Sequence, residues 1–398
     1  MKLKNLGILP WVLAAIALGI LCSLFFPVWA VRIFATFNSI FSNFLGMFIP
    51  LLIMGLVAPA IADLGKQAGS LLLITAAIAY LSTVISGTFG YLTSRALFPT
   101  MLSGQMAALG EFSAEGGILP YFTIEMPAFI SVTTALVIAF ILGLGCAAIP
   151  GRAMKGVLDD FRDIVSKTIA GVIIPCLPVF IFGIFLKMGS EGKVTMILGM
   201  FIKIILVMLC MELIVLTVKF CIAGIISGKN PFKSLLKMLP AYATAIGTQS
   251  SAATIPTTLQ CTKNLGVKSE VAEFTIPLCA NIHMPGSIIE LTCCSFAVSL
   301  SLGTATDFGT FIGFILMLAI TVVAAPGIPG GAVMASLGVM SSILGFDTNM
   351  QGLVIAIYVA MDSFGTACNV TGDGAISLIV DRFSSWKRQR QEPVSDPQ

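Results

Sequence analysis

Along most of this chain apolar residues come in blocks of about 20 rather than alternating with polar ones, which is the length a helix needs to cross a hydrocarbon core of about 30 Å. The blocks fall at residues 8–26, 41–62, 71–92, 129–149, 168–185, 194–222, 271–302, 311–344 and 354–380. The first follows Met1-Lys2-Leu3-Lys4, but it is too long for a signal core and lacks a small-residue cleavage site, so it reads as a helix. Three breaks interrupt the last third: G-T-Q-S-S-A-A-T-I-P at 247–256, C-A-N-I-H-M-P-G-S at 279–287 and A-A-P-G-I-P-G-G-A at 324–332. Such backbone is tolerated at membrane depth only where protein buries it or where it lines a cavity. One break reads as an ordinary proline kink. Three in succession point to a binding site formed by half-helix ends.

Residues 361–373, M-D-S-F-G-T-A-C-N-V-T-G-D, add chemistry to that picture. Asp362, Thr366, Asn369 and Asp373 follow at intervals of four, three and four, which puts all four on one helical face. Intramembrane carboxylates are costly unless they face a cavity, an ion or a partner. The competing reading is an interhelical hydrogen-bonding seam. Two acids with no basic residue between them favour a face that holds something charged.

Composition agrees: 57% of residues are hydrophobic and only 10% charged, with a mean hydropathy of +1.01. No polar linker divides the chain, so a single membrane unit is expected. With alternating helices and a cytoplasmic N-terminus, most of the 22 basic residues fall inside, in an assignment that counts Lys219 with Lys229, Lys233 and Lys237 as cytoplasmic. Both termini are then cytoplasmic, and the net charge of +3 reflects topology rather than nucleic-acid binding. The 10 cysteines form no C-x-x-C pair and the only histidine is His283, so a zinc or haem site is not expected.

The order of serine-rich break, broken helix, Pro/Gly break and D-x-x-x-T-x-x-N-V-T-G-D resembles the glutamate-transporter family of dicarboxylate/amino acid:cation symporters, over essentially the whole chain. The resemblance implies an all-α multi-pass membrane protein with eight transmembrane helices, two re-entrant helical hairpins and a homotrimeric assembly in the cell inner (plasma) membrane. It places scaffold elements in helices 1, 2, 4 and 5 (about 8–62 and 126–188). Transport elements fall in helices 3 and 6 and in residues 237–383, moving as an elevator. Carried over by position, Asp362 meets a substrate ammonium, Asn369 its α-carboxylate, and Thr366 lies beside them. Ser250, Ser251, Ser287, Gly327 and Pro329 complete the substrate set. Sodium, the implied coupling ion, would be held by Asn369, Asp373 and the backbone carbonyls of Cys279 and His283; no other cofactor is implied.

Departures from the family pattern sharpen the expectation. Acidic-substrate members carry an arginine where this chain has Gly365, and a glycine cannot pair a side-chain carboxylate. The family's N-M-D-G-T reads H-M-P-G-S here, so Pro285 replaces an aspartate of a deep cation site and His283 an asparagine. Ser82 and Thr83 align with hydroxyl ligands of that site, and Glu290 is an unexpected intramembrane acid; His283 or Glu290 is a candidate proton carrier. The expected activity is symport of a small, neutral amino acid coupled to sodium, protons or both. The alternatives are a dicarboxylate or acidic amino acid substrate, or an ion channel. An enzyme is disfavoured because Asp362 and Asp373, eleven residues apart on one helix, stand about 16 Å apart, too far to share a proton.

Overall fold

The computed structural model describes residues 8–66, 70–103, 118–190, 194–323, 325 and 330–391. Among them the regular structure is helical throughout. Hydrocarbon offers no partner for backbone N–H and C=O groups, so each apolar block satisfies its own by coiling. Among the described residues six helical segments are long and apolar enough to cross a membrane: Val28–Pro59, Leu72–Met101, Ala153–Ser190, Leu198–Ser227, Ser269–Ser301 and Met350–Phe383.

In chain order the N-terminal half contributes α1 (Ile8–Ser23), α2 (Val28–Lys66), α3 (Ser70–Met101) and α4 (Val132–Ala148). After these come α5 (Ala153–Thr168), which runs through a π-helical turn at Ile169–Ile173 into α6 (Ile174–Ser190), and then α7 (Val194–Ser227). Helices α1, α2, α4, α5 and α6 pack mainly on one another. With lipid on the outside, close helix approach rather than water exclusion drives such contacts. Gly143 shows how close α4 comes to α2: a Cβ there would lie 2.6 Å from the Cβ of Ile61.

The second half is built around one central helix. It comprises α8 (Pro231–Lys237), α9 (Leu239–Thr248), α10 (Ser251–Asn264), α11 (Ser269–Ile282), α12 (Pro285–Ser301), α13 (Phe308–Val323), α14 (Gly331–Leu344) and α15 (Thr348–Gln391). Helix α15 is buried almost without interruption from Gln351 to Val380 and packs on α7, α9, α10, α11 and α12. The first two breaks expected from the sequence each fall between two helices, and most of the third, at 324–332, lies outside the described residues. Between α9 and α10, Gln249 takes the left-handed conformation (φ 52°) and its N–H closes on the Ala245 carbonyl at 2.8 Å. Between α11 and α12, His283 and Met284 are non-helical and Pro285 starts the new helix, where its missing N–H costs nothing.

Candidate substrate and ion site

The polar stripe of α15 is buried as a unit: Asp362, Thr366, Asn369 and Asp373 are each no more than 5% exposed. Asp362 accepts two hydrogen bonds from neutral groups. Its Oδ2 takes the backbone N–H of Gly330, at the N-terminus of α14, at 2.7 Å, and its Oδ1 takes the Tyr358 hydroxyl, one turn earlier, at 2.9 Å. No basic side chain pairs with Asp362 among the described residues, so its negative charge stays uncompensated. Tyr358 was not singled out by the sequence; only its position four residues before Asp362 marks it.

One turn further, Gly365 meets Glu290 of α12. The Gly365 N–H donates to Glu290 Oε1 at 3.0 Å, and a Cβ at position 365 would lie 2.6 Å from the carboxyl carbon of Glu290. Any side chain at 365 therefore collides with this acid. Glu212 of α7 stands beside Glu290, so two acids border the place where acidic-substrate relatives carry a cation. Glu290 is wholly buried.

Asn369 clamps the start of α12. Its Oδ1 accepts the Gly286 N–H at 2.8 Å and its Nδ2 donates to Ser287 Oγ at 2.9 Å. The N-terminus of α12 thus abuts the polar stripe, with Pro285 bringing no N–H and the Gly286 N–H bonded to Asn369. Ser250 caps α10 by accepting the Ala253 N–H at 3.2 Å, and Ser251, the first residue of that helix, is buried. Gly327 and Pro329 lie outside the described residues.

The four expected sodium ligands lie towards the C-terminal end of the stripe, and each meets protein. The His283 N–H donates to the Cys279 carbonyl at 2.9 Å, and Asp373 Oδ1 lies 2.8 Å from His283 Nδ1. Asn369 is engaged as described. The other His283 nitrogen, Nε2, lies 3.1 Å from Ser82 Oγ and 3.1 Å from Lys219 Nζ. Thr83 Oγ1 accepts the Met284 N–H at 3.3 Å. The ring fits because residue 372 is glycine: a Cβ there would sit 2.9 Å from His283 Cε1.

Lys219 corrects the sequence reading. The topological count took it as a cytoplasmic charge, yet it lies inside the Leu198–Ser227 span with its amine turned to the protein interior. The reason is mutual: a lysine in hydrocarbon needs a partner, and α7 brings it to the break between α11 and α12.

Comparison with known proteins agrees with this architecture. The sodium:dicarboxylate symporter family model matches residues 8–383. The chain is 27% identical over 397 residues to the serine/threonine transporter SstT of Acinetobacter baylyi, covering 96% of this chain and 98% of the relative. It is 28% identical over 396 residues to the serine/threonine transporter SstT of Acinetobacter baumannii, covering 95% and 97%. The chain is a membrane transporter rather than an enzyme, and it belongs to the sodium:dicarboxylate symporter family.

Proposed function

We propose that this chain is a secondary active symporter for small neutral amino acids, coupled to sodium, protons or both. The observation that carries this reading is the pairing of an uncompensated Asp362 with a Gly365 that faces Glu290. An α-amino acid brings an ammonium and a carboxylate. Asp362 receives the ammonium in a charge-assisted hydrogen bond worth about 1.5–3 kcal/mol. Asn369, Thr366 and Ser287 receive the carboxylate, with Ser250, Ser251, Gly327 and Pro329 closing over it. A substrate side-chain carboxylate would instead face Glu290 and Glu212, two acids and, among the described residues, no cation, where a dicarboxylate needs a positive partner. The names of the serine/threonine relatives support a small hydroxyl or aliphatic side chain.

In the same reading the chain has eight transmembrane helices. The pairs α9–α10 and α13–α14 are re-entrant hairpins, and both termini are cytoplasmic in a plasma (inner) membrane. Three copies assemble through α1, α2, α4, α5 and α6, whose packing among themselves supports a scaffold role. The elements around α15 carry the substrate across. The Gly330 N–H on Asp362 links the second hairpin to the ammonium site, so closing the hairpin and binding the substrate are coupled events. A sodium ion is a cargo of this cycle.

The test is competition uptake in proteoliposomes. Unlabelled serine, threonine and alanine should compete with labelled serine under an inward sodium gradient, and flux should saturate and show counterflow. Aspartate or succinate competing better than serine would overturn the substrate assignment. Flux that never saturates would favour a channel.

A further inference from the structure

Lys219 lies in an apolar stretch, V-K-F-C at 218–221, on a helix long enough to cross the membrane. Its stem runs along a groove of about 350 Å³ between α3, α7 and α15, whose walls are apolar residues such as Ile85, Val218 and Ile376. The amine leaves that groove for the polar cluster beneath. An ammonium has three donors and no acceptor, so the His283 Nε2 atom 3.1 Å away must accept. That fixes the ring as the neutral tautomer with its proton on Nδ1, where it donates to Asp373 Oδ1 at 2.8 Å. The Ser82 hydroxyl, 3.1 Å from Nε2, completes the set.

The cluster is therefore an ammonium, a neutral imidazole and a carboxylate in line, drawn from α7, the break before α12, and α15. Its charges sum to zero without any added ion. Two further features agree. Pro285 leaves the break without a second acid, and the Cys279 carbonyl and Asn369 Oδ1 already accept N–H donors. A sodium ion added here would put a second positive charge beside a single buried carboxylate, where an unmatched ion is strongly disfavoured by the loss of its hydration.

We propose that Lys219 is a built-in cation: its ammonium takes the charge role of a coupling ion at this position, and no sodium ion is carried there. The symporter reading above supplies only the premise that sodium is a cargo. Any sodium that drives transport is then bound elsewhere, and this chain moves at least one sodium ion fewer than a relative whose matching site is vacant of such a side chain. Asp373 Oδ2, which accepts no hydrogen bond among the described residues, is the atom a sodium ion would reach once the ammonium is gone.

The experiment counts sodium ions bound to the purified full-length chain, using radioactive sodium in a scintillation proximity assay without amino acid. It is thus independent of which substrate is carried. Lys219→Met should bind one sodium ion more than the unmodified protein, with a steeper sodium dependence of uptake. Because that variant leaves Asp373 unmatched, it can fail to fold; the charge-neutral pair Lys219→Met with Asp373→Asn covers this case and should bind as many ions as the unmodified protein. A Lys219→Met protein that folds and binds no additional sodium overturns the proposal. So does a charge-neutral pair that binds one ion fewer, because Asp373 would then have been holding sodium beside the lysine.

Discussion

Helix α15 carries two aspartates on one face, and their surroundings differ in kind. Asp362 is held by a backbone N–H and a phenol, both neutral, so among the described residues no positive side chain answers this carboxylate. Asp373 is joined through His283 to the ammonium of Lys219, so its charge is answered from within the chain. An acid held by neutral donors recruits a cation from outside, and an acid tied to a tethered ammonium does not. The same residue type on the same helix face thus serves two ends: one aspartate awaits the ligand and the other balances the fold.

The largest effect that would break this contrast is on Asp362. Asp362→Asn keeps the shape and the Gly330 and Tyr358 contacts within reach but removes the charge. We expect serine affinity to fall about 10- to 150-fold, the range that corresponds to one charge-assisted hydrogen bond, with the thermal midpoint of the detergent-solubilised protein little changed. Binding measured by calorimetry is the check. Serine binding that survives the substitution would mean Asp362 is as well balanced as Asp373.

Gly365→Arg comes next. A Cβ at 365 meets the Glu290 carboxyl group, so an arginine enters only by displacing α12 or pairing with that acid. Overpacking of this kind costs about 1–3 kcal/mol, and an arginine neutralised by Glu290 leaves little charge for a substrate. Serine uptake should fall about 10-fold or more without aspartate uptake appearing. Aspartate transport gained from this single change would show that Glu290 does not shape the selectivity.

The contrast between the two aspartates was only half legible in the sequence. The four-three-four spacing of Asp362, Thr366, Asn369 and Asp373 survives translation into structure because helical periodicity is local, and the break at 283–285 is written in its proline. What pairs with each acid is tertiary. Lys219 near the end of an apolar block looks like a loop charge, since nothing local distinguishes a lysine that snorkels outward from one that turns inward. The apolar block at 41–62 is part of a longer helix, since α2 runs unbroken from Val28 to Lys66. Asn38 donates to the Phe180 carbonyl at 3.1 Å and Asn43 to the Ile124 carbonyl at 2.7 Å, so these amides tie α2 to its neighbours rather than end it.

A substitution at the C-terminal end of the stripe should separate the two regions. Gly372→Ala places a methyl 2.9 Å from His283 Cε1, and the ring must shift to admit it, loosening its bonds to Asp373 and Lys219. We expect a stability loss of about 1–3 kcal/mol, seen as a lower thermal midpoint, while serine affinity changes less than about threefold, below the 1 kcal/mol typical of a lost hydrogen bond. An equal loss of serine affinity would mean that the His283 cluster and the ammonium site form one unit.

The smallest effect, and the finest test of the contrast, is at Tyr358. Its hydroxyl donates to Asp362 Oδ1 at 2.9 Å, and its ring is wholly buried, so Tyr358→Phe removes one neutral donor and keeps the packing. Two consequences oppose each other. Losing the donor leaves Asp362 Oδ1 without its partner in the empty site, which raises the free energy of the unliganded protein by about 0.5–1.5 kcal/mol. The same loss frees that oxygen for the substrate ammonium, which can then take both carboxylate oxygens. If the tyrosine chiefly orients the carboxylate, serine affinity falls; if it chiefly competes with the ammonium, affinity rises. The hydrogen bond from Gly330 already fixes the other oxygen at 2.7 Å, so orientation is secured without Tyr358. We therefore expect Tyr358→Phe to bind serine about 2- to 10-fold more tightly, in line with the value of a single neutral hydrogen bond, and to release it more slowly. Weaker binding in this variant would show that the phenol shapes the ammonium site rather than merely occupying it.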